Sequence, residues 1–177
     1  VQLRMATMIP DYAVSPGAGR TAERILYDAF KRSLPEDFFV YHGLHYIEGG
    51  TATEGEADFL VVHREFGFLV VECKGAGVTR NRSGQWNRVY SNGRADTLKV
   101  SPFEQAQRHV HDLVTLLKPR IAASLGVQSR GSEFPFTFGH AVAFPRASLE
   151  GMNLPLDVSR KIVFGEEDLD SIGAKVR

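Results

Sequence analysis

The chain has 177 residues, of which 43% are hydrophobic and 24% charged, a mixture that supports one well-buried core and excludes a disordered polymer. Lys plus Arg and Asp plus Glu each number 21, so no global field recruits a polyanion and any nucleic acid must be held by a local patch. The single cysteine, Cys73, excludes an internal disulfide, and no run approaches the roughly 20 apolar residues that span a bilayer.

These features set the expectation of a reducing, cytoplasmic setting with no membrane partner. The first residues lack the basic, apolar and small-residue segments of a secretory signal. One domain is expected over residues 1–177.

From Pro16 to Pro35, Ala22, Ile25, Leu26, Ala29, Phe30 and Leu34 recur at helical spacing, which predicts an amphipathic helix. Glu23 lies on the rim of its apolar stripe. Phe38 to Ile47 reads as a first strand, and Glu48 to Gly55 as a loop. Two apolar runs follow, Phe59 to His63 and Phe68 to Cys73, joined by Arg64-Glu65-Phe66-Gly67. Apolar on both faces, they predict a hairpin at the centre of a covered sheet.

Trp86 and Val89-Tyr90 suggest a peripheral hairpin, with Asn92-Gly93 offering a type I′ turn. Ser101-Pro102-Phe103-Glu104 is a helix start with a capping box, and Pro119 is expected to stop that helix. A strand near Thr137 to Phe144 comes after an irregular stretch. A short strand, Lys161 to Phe164, then leads into an acidic helix start at Glu166-Glu167-Asp168. The order predicts an α/β fold with a mixed central sheet flanked by helices, its core over about 16–144 and a C-terminal strand-helix extension over 145–177.

Charges sit at the ends of the two most apolar strands: Asp58 opens one, and Glu72 and Lys74 close the other. Glu72 and Lys74 point to one face and Cys73 to the opposite one, because side chains alternate along a strand. A three-residue loop, Glu65-Phe66-Gly67, with Gly67 left-handed pairs Arg64 with Phe68 and sets Asp58 opposite Lys74 on that same face. A two-residue loop throws Asp58 to the other face. Two carboxylates with a nearby backbone carbonyl make an incomplete oxygen site of the kind Mg²⁺ occupies, and Lys74 can orient water or stabilise developing negative charge. That chemistry is phosphodiester hydrolysis.

The arrangement GEADFLVV…FGFLVVECKG resembles the PD-(D/E)xK nuclease superfamily and, more narrowly, the nuclease-related domain, NERD. The likeness runs over roughly Pro16 to Phe144, through Glu23, Gly84-Gln85-Trp86, and Pro102 with Gln105. Ala57 stands where the superfamily signature has proline, a loss the superfamily tolerates. The resemblance implies a restriction-endonuclease-like αβββαβ core. It further implies that Asp58 and Glu72 hold Mg²⁺ or Mn²⁺ with the Cys73 carbonyl, that Lys74 is catalytic, and that Glu23 and Gln105 are accessory. It also implies a module within a longer, helicase-fused protein.

Between Lys74 and Arg108 seven basic residues stand against two acidic ones, which nominates Arg80, Arg82, Arg88 and Arg108 as contacts to a nucleic-acid backbone. DNA is the expected polymer. Taken alone, a Glu-x-Lys strand end is more often a solvated ion pair, Cys73 a small buried hydrophobe and Trp86 a packing residue. The histidines carry no zinc spacing and no phosphate-binding P-loop is present. The expected function is metal-dependent hydrolysis of nucleic acid; the alternative is a catalytically inactive nucleic-acid-binding or tethering module.

Overall fold

The structure, a computed structural model, describes residues 5–12, 21–48, 53–126 and 133–177. A six-stranded sheet in the order β1-β2-β3-β4-β8-β9 forms its centre. β1 (Thr7–Ile9) runs parallel to β2 (Phe38–Glu48), while β3 (Thr53–His63) is antiparallel to β2 and to β4 (Gly67–Cys73). β8 (Phe138–Ala143) and β9 (Val163–Phe164) return parallel to β4. The expected helix, three strands, helix, strand order holds, and the sheet is mixed.

Two helices cover opposite faces. α1 (Thr21–Ser33) presents Leu26, Ala29 and Phe30 to a cluster containing Phe38, Val40, Phe59, Val61, Val71 and Cys73. α2 (Pro102–Leu125) places Val110 and Leu113 against Leu60, Val70, Tyr46 and Ala57. Burying both faces accounts for the nearly continuous apolar runs of β3 and β4. A second sheet, β5 (Val78–Arg80), β6 (Trp86–Val89) and β7 (Ala95–Thr97), stands between β4 and α2 in sequence. Its Trp86 stacks on Phe144, ring centroids 5.9 Å apart, and so pins the sheet to the end of β8.

Several boundaries differ from the sequence reading. α1 begins at Thr21, and the residues expected to start the helix before it lie outside the described ones, as does most of the irregular stretch before Phe136. Thr53 to Gly55 belong to β3 and pair with Tyr46 to Glu48, where a loop was expected. Pro119 does not stop α2: the helix continues to Leu125, buries Ala122, and ends at a left-handed Gly126 whose N–H meets the Ala122 and Ala123 carbonyls. Proline's missing donor is tolerated there because burial and a good cap offset it.

The Asn92-Gly93 turn is not type I′, since only Gly93 has positive φ; Asn92 instead accepts the Arg94 N–H through Oδ1. The expected strand over Lys161–Phe164 shortens to β9 behind a 3-10 turn, Arg160–Ile162. The acidic segment Glu166–Ser171 is likewise 3-10 before the short α3 (Ile172–Lys175). This extension is not a loose appendage, because Phe164 and Ile172 lie in the same buried cluster as Leu26 and Phe30. Buried Asp168 ties it together through Arg160, Lys175 and the Gly165 N–H.

The central hairpin is shifted by two residues from the expected register. His63 pairs with Gly67 and Phe59 with Val71, so the loop is Arg64-Glu65-Phe66. His63 decides this. Its Nδ1 accepts the N–H groups of Glu65 and Phe66, which leaves the proton on Nε2 for Asp37 at 2.7 Å, and the Phe66 ring stacks on the imidazole at 4.4 Å. Gly67 is left-handed as expected, φ 85°, and a Cβ on it would overlap the Thr137 carbonyl.

Candidate active site

Continued one step beyond Phe59 and Val71, the ladder would oppose Asp58 to Glu72, yet strict alternation breaks there. Phe59 and Val61 pack towards α1, while both Leu60 and Ala57 pack towards α2. Across the strand pair, Gly43 adopts φ 60° and drops out of the β2–β3 ladder between His42 and Leu44. Gly43 thus stands opposite Asp58, in a backbone conformation open to glycine at little steric cost, and the Asp58 carboxylate reaches the end of β4. There it accepts the Cys73 N–H at 2.7 Å.

Glu72, at 2% exposure, is the more deeply buried carboxylate. Lys74, itself 9% exposed, donates through Nζ to Glu72 Oε1 at 2.6 Å and to Gln105 Oε1 at 3.0 Å. Gln105 is placed by its position in the first turn of α2, whose start is set by the capping box of Ser101 and Glu104. The Lys74 N–H bonds the Ala143 carbonyl, which continues the β4–β8 pairing and fixes the lysine's backbone. Glu23, Asp58, Glu72 and Lys74 line one cleft of about 920 Å³, with Gly75 to Gly77, Arg88 to Ser91 and Arg146 as its further walls.

Burial pushes both carboxyls up, each to about 6. For Asp58 the Cys73 N–H and the Lys74 charge oppose that push, and Glu23 adds to it. For Glu72 the neighbouring Asp58 charge adds to the burial effect, and Lys74 opposes both. Like charge thus adds to burial at both carboxyls, from Glu23 at Asp58 and from Asp58 at Glu72, a pattern that functional sites share with some structural ion-pair networks. Burial also raises the Cys73 thiol well above its ordinary value, so it is no nucleophile.

The sequence model of the nuclease-related domain matches residues 18–145. The chain belongs to this family. No curated protein and no solved structure matches it. Within the matched part of this nuclease-related domain lie Glu23, Asp58, Glu72, Lys74 and Gln105; the structure brings all but Gln105 to the cleft wall and ties Gln105 to Lys74.

The nominated arginines divide. Arg88 lines the cleft. Arg80 turns its Nε to the Gly84 carbonyl and braces the β5–β6 turn, Arg82 is exposed on that turn, and Arg108 is exposed on α2; none of these three lines the cleft. Among the described residues no group of three or more His, Cys, Asp or Glu side chains is arranged to hold a metal, and no helix is long and apolar enough to cross a membrane.

Arg146, missed in the sequence, lines the cleft from the segment after β8. The signal that could have found it is topological, since ligands of open α/β sheets gather beyond the carboxyl ends of parallel strands, and β8 runs parallel to β4. His109 was also missed. It faces Glu72 from α2, its Nε2 3.8 Å from Glu72 Oε2.

Proposed function

We propose that the domain hydrolyses phosphodiester bonds of nucleic acid, with DNA as the expected polymer, using a divalent ion held by Asp58 and Glu72. The observation that carries this reading is that Asp58 and Glu72 line one cleft together with Lys74, Arg88 and Arg146. The donor set fits a hard cation: two carboxylates and a neighbouring Cys73 carbonyl, with Glu72 Oε2 buried and lacking a hydrogen-bond partner among the described residues. Mg²⁺ or Mn²⁺ would supply charge neutralisation at the phosphoryl oxygens and acidify a bound water.

The chain's own groups have separate tasks. Lys74, its Nζ fixed between Glu72 and Gln105, holds a positive charge where the transition state gains negative charge, and being held in advance it needs no reorganisation. Gln105 positions that ammonium. Arg88 and Arg146 bind backbone phosphates at the cleft wall, and Glu23 adds negative charge beside Asp58. The buried Cys73 thiol suits a reducing, cytoplasmic setting. Fusion to a helicase within a longer protein completes the reading.

A second reading has an observation of its own. Lys74 already pairs with Glu72 at 2.6 Å, so the cluster can stand as a neutralised ion pair in a module that binds nucleic acid without cutting it. Labelled single- and double-stranded DNA and RNA, incubated with Mg²⁺, Mn²⁺ or EDTA, separate the two. Cleavage abolished by EDTA supports the nuclease; binding that persists in EDTA with no cleavage under any ion supports the module.

A further inference from the structure

Two buried polar atoms face each other behind the cleft. His109 Nε2 and Glu72 Oε2 are buried, neither has a hydrogen-bond partner among the described residues, and they lie 3.8 Å apart. Behind the imidazole, His109 Nδ1 lies 2.6 Å from the Tyr46 hydroxyl, which is also 3.1 Å from Asp112 Oδ2. Tyr46 reaches this position from β2 because Gly55 pairs with it on β3, and any Cβ at residue 55 would run into the Tyr46 ring.

The single hydroxyl proton of Tyr46 has two acceptors within reach. If it goes to Asp112, then Nδ1 of a neutral His109 carries the ring proton and Nε2 presents a lone pair to a carboxylate oxygen. Two buried acceptors would then face each other unsatisfied, at about 1–3 kcal/mol each. If it goes to Nδ1, the shorter contact, the ring proton moves to Nε2 and points at Glu72 Oε2. Both buried atoms gain from that arrangement. The Tyr46 oxygen and Asp112 Oδ2 are then two acceptors 3.1 Å apart, a cost that solvent relieves because Asp112 is partly exposed.

We infer that Tyr46 and His109 form a positioning pair for Glu72: Tyr46 donates to His109 Nδ1, fixing the tautomer whose Nε2–H is aimed at Glu72 Oε2. Glu72 then meets the Lys74 ammonium at Oε1, 2.6 Å away, and faces the His109 Nε2–H across 3.8 Å at Oε2, a separation that orients the carboxylate while leaving Oε2 open to an ion. The inference rests on the reading of Glu72 as a metal-binding carboxylate. Its consequence is that α2 orients that carboxylate through a group which touches neither the ion nor the substrate, and loss of such outer partners weakens metal affinity by about 10–100-fold.

Imidazole ¹⁵N shifts of the metal-free protein read the tautomer directly and need no mutation. The Nε2–H form of His109 is expected; the Nδ1–H form overturns the inference. Titration with Mn²⁺ alone then compares variants. His109→Ala should weaken binding about tenfold or more, His109→Gln, which restores an N–H at the ε position, should return to within about threefold of wild type, and Tyr46→Phe should fall between them. Equal Mn²⁺ affinity in wild type and His109→Ala, or His109→Gln as weak as Ala at matched thermal stability, overturns the inference. Failure of the function reading looks different: wild-type protein that neither binds Mn²⁺ nor cleaves removes the metal role, whatever tautomer His109 adopts.

Discussion

Replacing Lys74 by Met keeps most of the side-chain volume and removes the charge that Glu72 depends on. Lys74 Nζ lies 2.6 Å from Glu72 Oε1, and both residues are buried. Removing one partner of a buried ion pair costs about 3–5 kcal/mol when the remaining charge is kept. Glu72 can escape part of that cost by taking up a proton. Burial and Asp58 already hold its pKa near 6 against an ordinary 4.5, with Lys74 pulling down, so the variant's value must lie higher still.

A carboxyl whose folded pKa is raised binds more protons folded than unfolded, so stability falls as pH rises from the ordinary value through the folded one. Urea unfolding of Lys74→Met should therefore show a loss of about 3 kcal/mol at pH 8, shrinking to about 1 kcal/mol at pH 5, where Glu72 is largely protonated. Adding Glu72→Gln should recover most of the pH 8 loss, because no charge is then stranded. Equal losses at the two pH values, or no recovery in the double variant, would refute the ion-pair account of this site.

Both carboxyls stand near 6, so Mn²⁺ binding should release protons at pH 6 and fewer at pH 8, measurable by calorimetric titration in buffers of different ionisation enthalpy; saturating ion at 100 times Kd should add about 2.7 kcal/mol of stability, reversed by EDTA. Gly67→Ala should destabilise by about 3 kcal/mol or more in chemical unfolding, since the left-handed backbone and the Thr137 carbonyl both oppose a Cβ. Arg88→Ala and Arg146→Ala should each weaken nucleic-acid binding and reduce the salt slope by about one, whereas Arg82→Ala leaves the slope unchanged in fluorescence titrations at graded salt.

Hydrophobic periodicity in the sequence determined the element order and the burial of β3 and β4 on both faces, because those signals are local and repeat within a few residues. The same locality made the start of α2 legible at Ser101, where the capping residues lie within one turn. The candidate site was legible as residue types: Asp58, Glu72 and Lys74 because charges at the ends of apolar strands are conspicuous, Glu23 and Gln105 only through the family resemblance. Their arrangement was not.

The hairpin register depended on His63 bonding two backbone N–H groups of its own turn, and Asp58 is fixed in the site by the Cys73 N–H of the neighbouring strand. Pro119 continued a helix because tertiary burial outweighed a local penalty. Arg146, His109 and Tyr46 come to the cleft or its support from segments far apart in the chain. Such meetings are set by strand pairing and by helix packing across the sheet, as in the contacts of Lys74 with Gln105 and of Tyr46 with His109, 31 and 63 positions apart, and no pattern within a short window encodes them.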